Sequence, residues 1–84
     1  MVNDLNFTDL SVNQVPKLYK RRQEIFKSNV FDMSQVTKID SSGIAFLVKW
    51  SKACPNKKLK IKNIKEEAKA LITVFHVDSL FIIE

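Results

Sequence analysis

Glycine is almost absent from this chain of 84 residues, and cysteine, histidine and tryptophan also occur only once each. With Gly43 as the sole glycine there is no glycine-rich loop to cradle a nucleotide phosphate. The lone cysteine, Cys54, can form no internal disulfide and has no companion thiol for a zinc site. That usage fits a reducing compartment and an inert, buried or half-buried thiol. The lone histidine, His76, has no spacing that makes it the base of a serine nucleophile, and no paired carboxylates or metal-ligand cluster accompany it. No catalytic residue, metal or cofactor is therefore expected. Long apolar runs are missing too: Ile44 to Val48 falls far short of the roughly 20 residues a spanning helix needs, and Met1 to Asn6 has no signal-peptide pattern. The expected location is the cytoplasm.

What is present is an ordinary globular composition, with 45% hydrophobic and 27% charged residues spread along the chain. The length allows one domain, residues 1–84, with a single modest core. Fourteen Lys and Arg against nine Asp and Glu give a net charge of +5. The excess sits in Lys17, Lys20, Arg21 and Arg22 and in Lys57, Lys58, Lys60, Lys62 and Lys65. Such a surplus suits an acidic partner, anionic lipid or nucleic acid. No aromatic residues are interleaved with these cations as stacking platforms, so nucleic acid is not expected.

Hydrophobic periodicity predicts alternating strands and helices. Leu5 to Thr8 reads as a short strand, and a helix capped by Asn13 is expected to run to about Lys27, with Val15, Leu18, Tyr19, Ile25 and Phe26 on its apolar side. Val30 to Met33 reads as a buried strand, Ser34 to Lys38 as a loop, and Ser41 to Cys54 as a helix stopped by Pro55. Leu59 to Lys62 alternates with a period of two, so its lysines share a solvated face. A third helix runs from Glu66 to about Phe75, with Ala68, Leu71, Ile72 and Phe75 on one face, before a last strand, Leu80 to Ile83. The pattern is that of a small α/β domain, an about four-stranded mixed sheet with helices packed on it.

Chemistry concentrates at Asp40-Ser41-Ser42-Gly43, where a polar loop meets an apolar helix. Helix N-termini leave backbone N–H groups unpaired and carry the positive end of the dipole, which makes Ser41 or Ser42 the favoured cap. Gly43 permits a close approach of the helix start, either to a neighbouring strand or to a partner. At about 100° per residue, Ile44, Leu47, Val48, Ser51 and Cys54 face the sheet, and Ala45, Phe46, Lys49 and Ala53 face outward or toward the edge. Phe46 beside alanines is expected to be an exposed contact, the alternative being that it tucks under a neighbouring helix.

The stretch Phe31-Asp32-Met33-Ser34, with Val36 and Ile39 and then Asp40-Ser41-Ser42-Gly43-Ile44-Ala45-Phe46-Leu47, resembles the signature of STAS domains, the fold of anti-sigma factor antagonists. Thr8-Asp9-Leu10-Ser11 sits where that family has a turn before its first helix, with Thr8 in place of the usual glycine. The helix from Gly43 through Trp50 is similar to that of the short STAS subunit of Mla-type phospholipid ABC transporters. The resemblance implies a non-enzymatic accessory subunit that binds the transporter's cytoplasmic ATPase, alongside its permease, and meets the membrane only through that complex. It also leaves open an antagonist that binds an anti-sigma factor kinase and is switched by phosphorylation of Ser41. In either case the implied partner-binding residues are Asp40, Ser41, Ser42, Gly43, Ala45, Phe46 and Lys49.

Overall fold

In the computed structural model, which describes residues 8–84, strands and helices alternate as the patterning predicts. The chain begins with β1 (Asp9–Leu10), α1 (Val15–Lys20), α2 (Arg22–Ile25) and β2 (Val30–Asp32). It continues through β3 (Lys38–Ile39), α3 (Ser41–Ala53), β4 (Leu59–Lys62) and α4 (Glu66–Val74). A short 3-10 turn, Asp78–Leu80, then leads into β5 (Phe81–Ile83). Of the strand expected over Leu5 to Thr8, all but Thr8 lies outside the described residues.

The domain is a small α/β fold whose five described strands form two sheets, β1-β3 and β2-β4-β5. Every described pairing is parallel, with Phe31 opposite Ile61 and Ile61 opposite Ile83 in the larger sheet. Parallel neighbours need crossovers, and α3 and α4 supply the helices between successive strands. Alternation along β4 sends Leu59 and Ile61 into the core, both fully buried, while Lys62 stays exposed.

Two elements differ from the sequence expectation. The helix expected to run from Asn13 to Lys27 is two short helices parted at Arg21, whose φ of −104° and ψ of 19° leave the helical region. Gln14, not Asn13, holds the N-cap position, and its side chain makes no capping bond. The Arg21 N–H instead closes a tight turn on the Leu18 carbonyl at 2.9 Å. Beyond that turn Ile25 is buried and Phe26 lies against the aromatic core. The loop expected over Ser34 to Lys38 ends in β3, which a two-residue strand in a polar stretch gives no periodicity to reveal. It is placed by long-range contacts: Val36 is buried, and the Thr37 N–H and hydroxyl both donate to the Thr8 carbonyl, at 2.7 and 3.1 Å.

An aromatic cluster closes the core between α2, β2 and α3. The Trp50 ring stacks on Phe26 at 5.9 Å between centroids and meets Phe31 and Phe46 at an angle. Its indole N–H donates to the Ser28 carbonyl at 2.7 Å, so the buried ring leaves no unpaired donor. Cys54 is buried with its thiol donating to the Trp50 carbonyl, and burial pushes its pKa up. A thiol in that setting is poorly ionised and inert, as its isolation in the sequence suggests.

Candidate functional site

The start of α3 is fixed by Asp40, in place of the Ser41 or Ser42 cap expected from the sequence; aspartate is as good an N-cap as serine. Asp40 has an extended backbone and accepts hydrogen bonds through Oδ1 from the N–H groups of Ser42, at 2.8 Å, and Gly43, at 3.3 Å. Its Oδ2 accepts from the N–H of Val12 at 3.0 Å, so one carboxylate also pins the loop after β1 to the helix start. The helix begins one residue earlier than a serine cap would require. Ser41 and Ser42 therefore occupy its first turn, and their hydroxyls have no hydrogen-bond partner among the described residues. Ser41 is exposed and Ser42 half-buried.

Gly43 is buried against β1. A Cβ built there would collide with the Leu10 carbonyl oxygen and lie 2.9 Å from Leu10 Cβ and 3.0 Å from Ile39 Cγ1. The glycine serves the close approach of helix to strand, and it offers no surface to a partner.

Phe46 also departs from the sequence expectation of an exposed contact. It is 1% exposed, its ring 5.6 Å from that of Phe26, and it belongs to the core. The helical-wheel angle places it away from the sheet, but α3 is flanked by α1 and α2 on that side, so its apolar sector is wider than the sheet-facing arc. Phe46 and Trp50, four residues apart, form a second buried stripe beneath those helices. Phe75 is displaced in the opposite sense. Expected on the core face of the third helix, it caps the C-terminus of α4 and is 44% exposed.

The outward strip of α3 is thus Ser41, Ala45 and Lys49, at intervals of one helical turn, continued by Lys52. It runs as a ridge between two grooves of about 460 Å³ each. One, toward the end of α4, is lined by Ser41, Ile44, Ala45, Val48, Lys49, Lys52, Phe75 and Val77. The other, toward α1, is lined by Val15, Pro16, Tyr19, Ser42, Ala45, Phe46 and Lys49. Of the residues expected at a partner surface, Ser41, Ser42, Ala45 and Lys49 come together here, Asp40 supports them from behind, and Gly43 is packed away. Lys52, Tyr19, Phe75 and Val77 were not foreseen. Lys52 shares the periodicity of the strip and was open to detection, whereas the others arrive from distant segments.

Tyr19 is bracketed by cations. The Arg22 guanidinium lies 4.3 Å from its ring centroid and the Lys49 ammonium 5.7 Å from it. Two carboxylates elsewhere are tuned by hydrogen bonds. The Ser11 side chain and N–H, helped by Lys38, hold Asp9 below the ordinary carboxylate range, and Asn63 and Ser34 do the same for Asp32. His76 is exposed in the left-handed region at φ 57°, where its backbone terminates α4. Among the described residues no group of three or more His, Cys, Asp or Glu could hold a metal ion, and no helix is long and apolar enough to cross a membrane.

No curated protein and no solved structure matches the chain. The family model described as STAS domain matches residues 8–84, almost its whole length and all of the fold described above. The match spans the turn before α1, the Asp-Ser-Ser-Gly start of α3 and the closing helix and strand, and on that ground the chain belongs to the STAS domain family.

Proposed function

We propose that this STAS domain is a non-enzymatic accessory subunit that binds the cytoplasmic ATPase of a phospholipid-transporting, Mla-type ABC complex and supports its assembly or activity. The observation that carries the reading is the exposed strip of α3, small at Ser41 and Ala45 and cationic at Lys49 and Lys52, which stands between two largely apolar grooves. A ridge with recesses on both sides suits a partner's side chains, which gain most of their binding energy where they are fully desolvated. The resemblance of its helix from Gly43 to Trp50 favours the transporter branch. On this reading the protein is cytoplasmic and reaches the inner membrane only through the ATPase and permease.

A second reading rests on Ser41, whose exposed hydroxyl has no partner among the described residues. An antagonist of an anti-sigma factor kinase would be phosphorylated there, adding roughly two negative charges to the strip. Copurification from the native host with mass spectrometry separates the two. Recovery of an ABC ATPase with unmodified Ser41 supports the first, and recovery of a kinase with phosphorylated Ser41 replaces it with the second. Ser41→Asp should leave the fold intact and weaken ATPase binding, and undiminished binding would remove Ser41 from the interface.

A further inference from the structure

The linings of both grooves beside α3 contain lysine and no carboxylate: Lys49 and Lys52 on one side, Lys49 with Tyr19 on the other. Lys49 and Lys52 form no ion pair with any described residue, in contrast to Arg21, which pairs with Glu24, and Lys60, which pairs with Glu84; Arg22, half-buried, donates to the Tyr19 carbonyl at 3.0 Å. Arg22 and Lys49 both stand over Tyr19, so the wall between α1 and α3 presents two cations on one aromatic ring. The rest of the linings is largely apolar, with Ile44, Val48 and Val77 on one side and Val15, Pro16 and Phe46 on the other, and Phe75 is left 44% exposed. Unpaired cations around apolar recesses complement one kind of surface, carboxylates set beside apolar side chains.

From this arrangement we infer that the strip receives an acidic segment of the partner protein, whose apolar side chains enter the grooves while its Asp and Glu residues meet Lys49 and Lys52. The inference rests on the accessory-subunit reading and gives the chemistry of the ATPase surface that binds here. It also gives a direction to modification: a phosphate on Ser41, which lines the same groove as Lys49 and Lys52, would compete for those cations and repel the acidic segment.

The test uses the full chain and the ATPase recovered with it, with affinity measured by calorimetry from low to high sodium chloride. Binding should weaken steadily with salt, because exposed pairs are screened within about 10 Å at 0.1 M ionic strength. K49E/K52E should weaken binding about tenfold or more at low salt and lose most of the salt dependence. K58E/K62E changes net charge equally at residues away from the strip and should bind as the parent does. Both double variants replace exposed residues, and a retained thermal transition shows that each is folded. Equal weakening by the two pairs, or by neither, overturns the inference and leaves the accessory-subunit reading standing. Failure of the ATPase to bind at any salt removes that reading and the inference with it. Vesicles of anionic phospholipid that bind the parent and lose K49E/K52E, while the ATPase still binds that variant, would reassign the strip to a lipid surface.

Discussion

Replacing Gly43 with alanine sets two effects of opposite sign against each other. Alanine in a helix is favoured over glycine by about 0.5–1 kcal/mol, so propensity alone predicts a more stable domain. At this site, however, the new Cβ would collide with the Leu10 carbonyl oxygen and stand 2.9 Å from Leu10 Cβ. Those atoms cannot swing aside like the end of a flexible side chain. The Leu10 carbonyl accepts the Asp40 N–H at 3.3 Å, and Leu10 itself is fully buried and pairs with Ile39. Relief requires moving the first turn of α3 away from β1, which loosens that hydrogen bond, the β1-β3 pairing and the seat of Ile44 together. Overpacking of this kind costs about 1–3 kcal/mol and sometimes more. Because the clash is with backbone, the upper end of that range applies, and with the helix gain subtracted a net loss of about 2 kcal/mol is expected, against a total stability of about 4–12 kcal/mol for a domain of this size. The thermal midpoint should fall by about 8–16 °C in a circular dichroism melt. Ala45→Gly, at an exposed position of the same helix, isolates propensity and should cost only about 0.5–1 kcal/mol. A Gly43→Ala midpoint at or above that of the parent would refute the close-packing argument. Gly43→Val should fail to fold, so any loss of partner binding in that variant would report unfolding.

Phe46→Ala removes a ring packed on Phe26 and Trp50 and should cost about 3–5 kcal/mol in a denaturant titration; Phe46→Glu should abolish the thermal transition, and a folded Phe46→Glu domain would return the residue to the surface. Asp40→Ala should cost about 1–2 kcal/mol because it uncaps α3 and frees the Val12 N–H, while Ser41→Ala should stay within about 0.5 kcal/mol; equal costs in paired melts would contradict the assignment of the cap. His76 holds φ 57° while its N–H and that of Val77 bond the carbonyls of Thr73 and Ile72, so His76→Gly should stabilise by about 0.5–1 kcal/mol, and a lowered melting temperature would show that the histidine side chain contributes something. Asp9 and Asp32 have folded pKa values below the ordinary one, so the stability they add is complete above the usual carboxylate range and is lost as the pH falls through their depressed values. Asp32→Asn should flatten that acid limb when melting temperature is followed against pH, and an unchanged limb would exclude Asp32 from it.

The elements that depend on local pattern were readable along the chain. The lysine and apolar alternation of Leu59 to Lys62 reads as a strand with one solvated face, and the spacing of Ile44, Leu47 and Ser51 reads as one face of a helix, as both are in the structure. The Asp-Ser-Ser-Gly junction likewise marked the helix start, because that combination of acceptor, small residues and glycine has few other uses. What the sequence left undecided were questions of which neighbour arrives. Asp40 caps α3 because its carboxylate can also reach Val12, 28 residues away in the chain, a contact for which residue preference holds no signal. Phe46 is buried where the ring of Phe26, just past α2, lies against it, and Phe75, at the C-terminal cap of α4, is left exposed. Periodicity specifies the direction of a side chain from its own helix axis, whereas burial is fixed by what stands in that direction. That is why the outward direction of Ala45 and Lys49 is legible in the sequence, whereas the grooves on either side of them, walled by Tyr19, Phe75 and Val77, exist only once the helices are packed together.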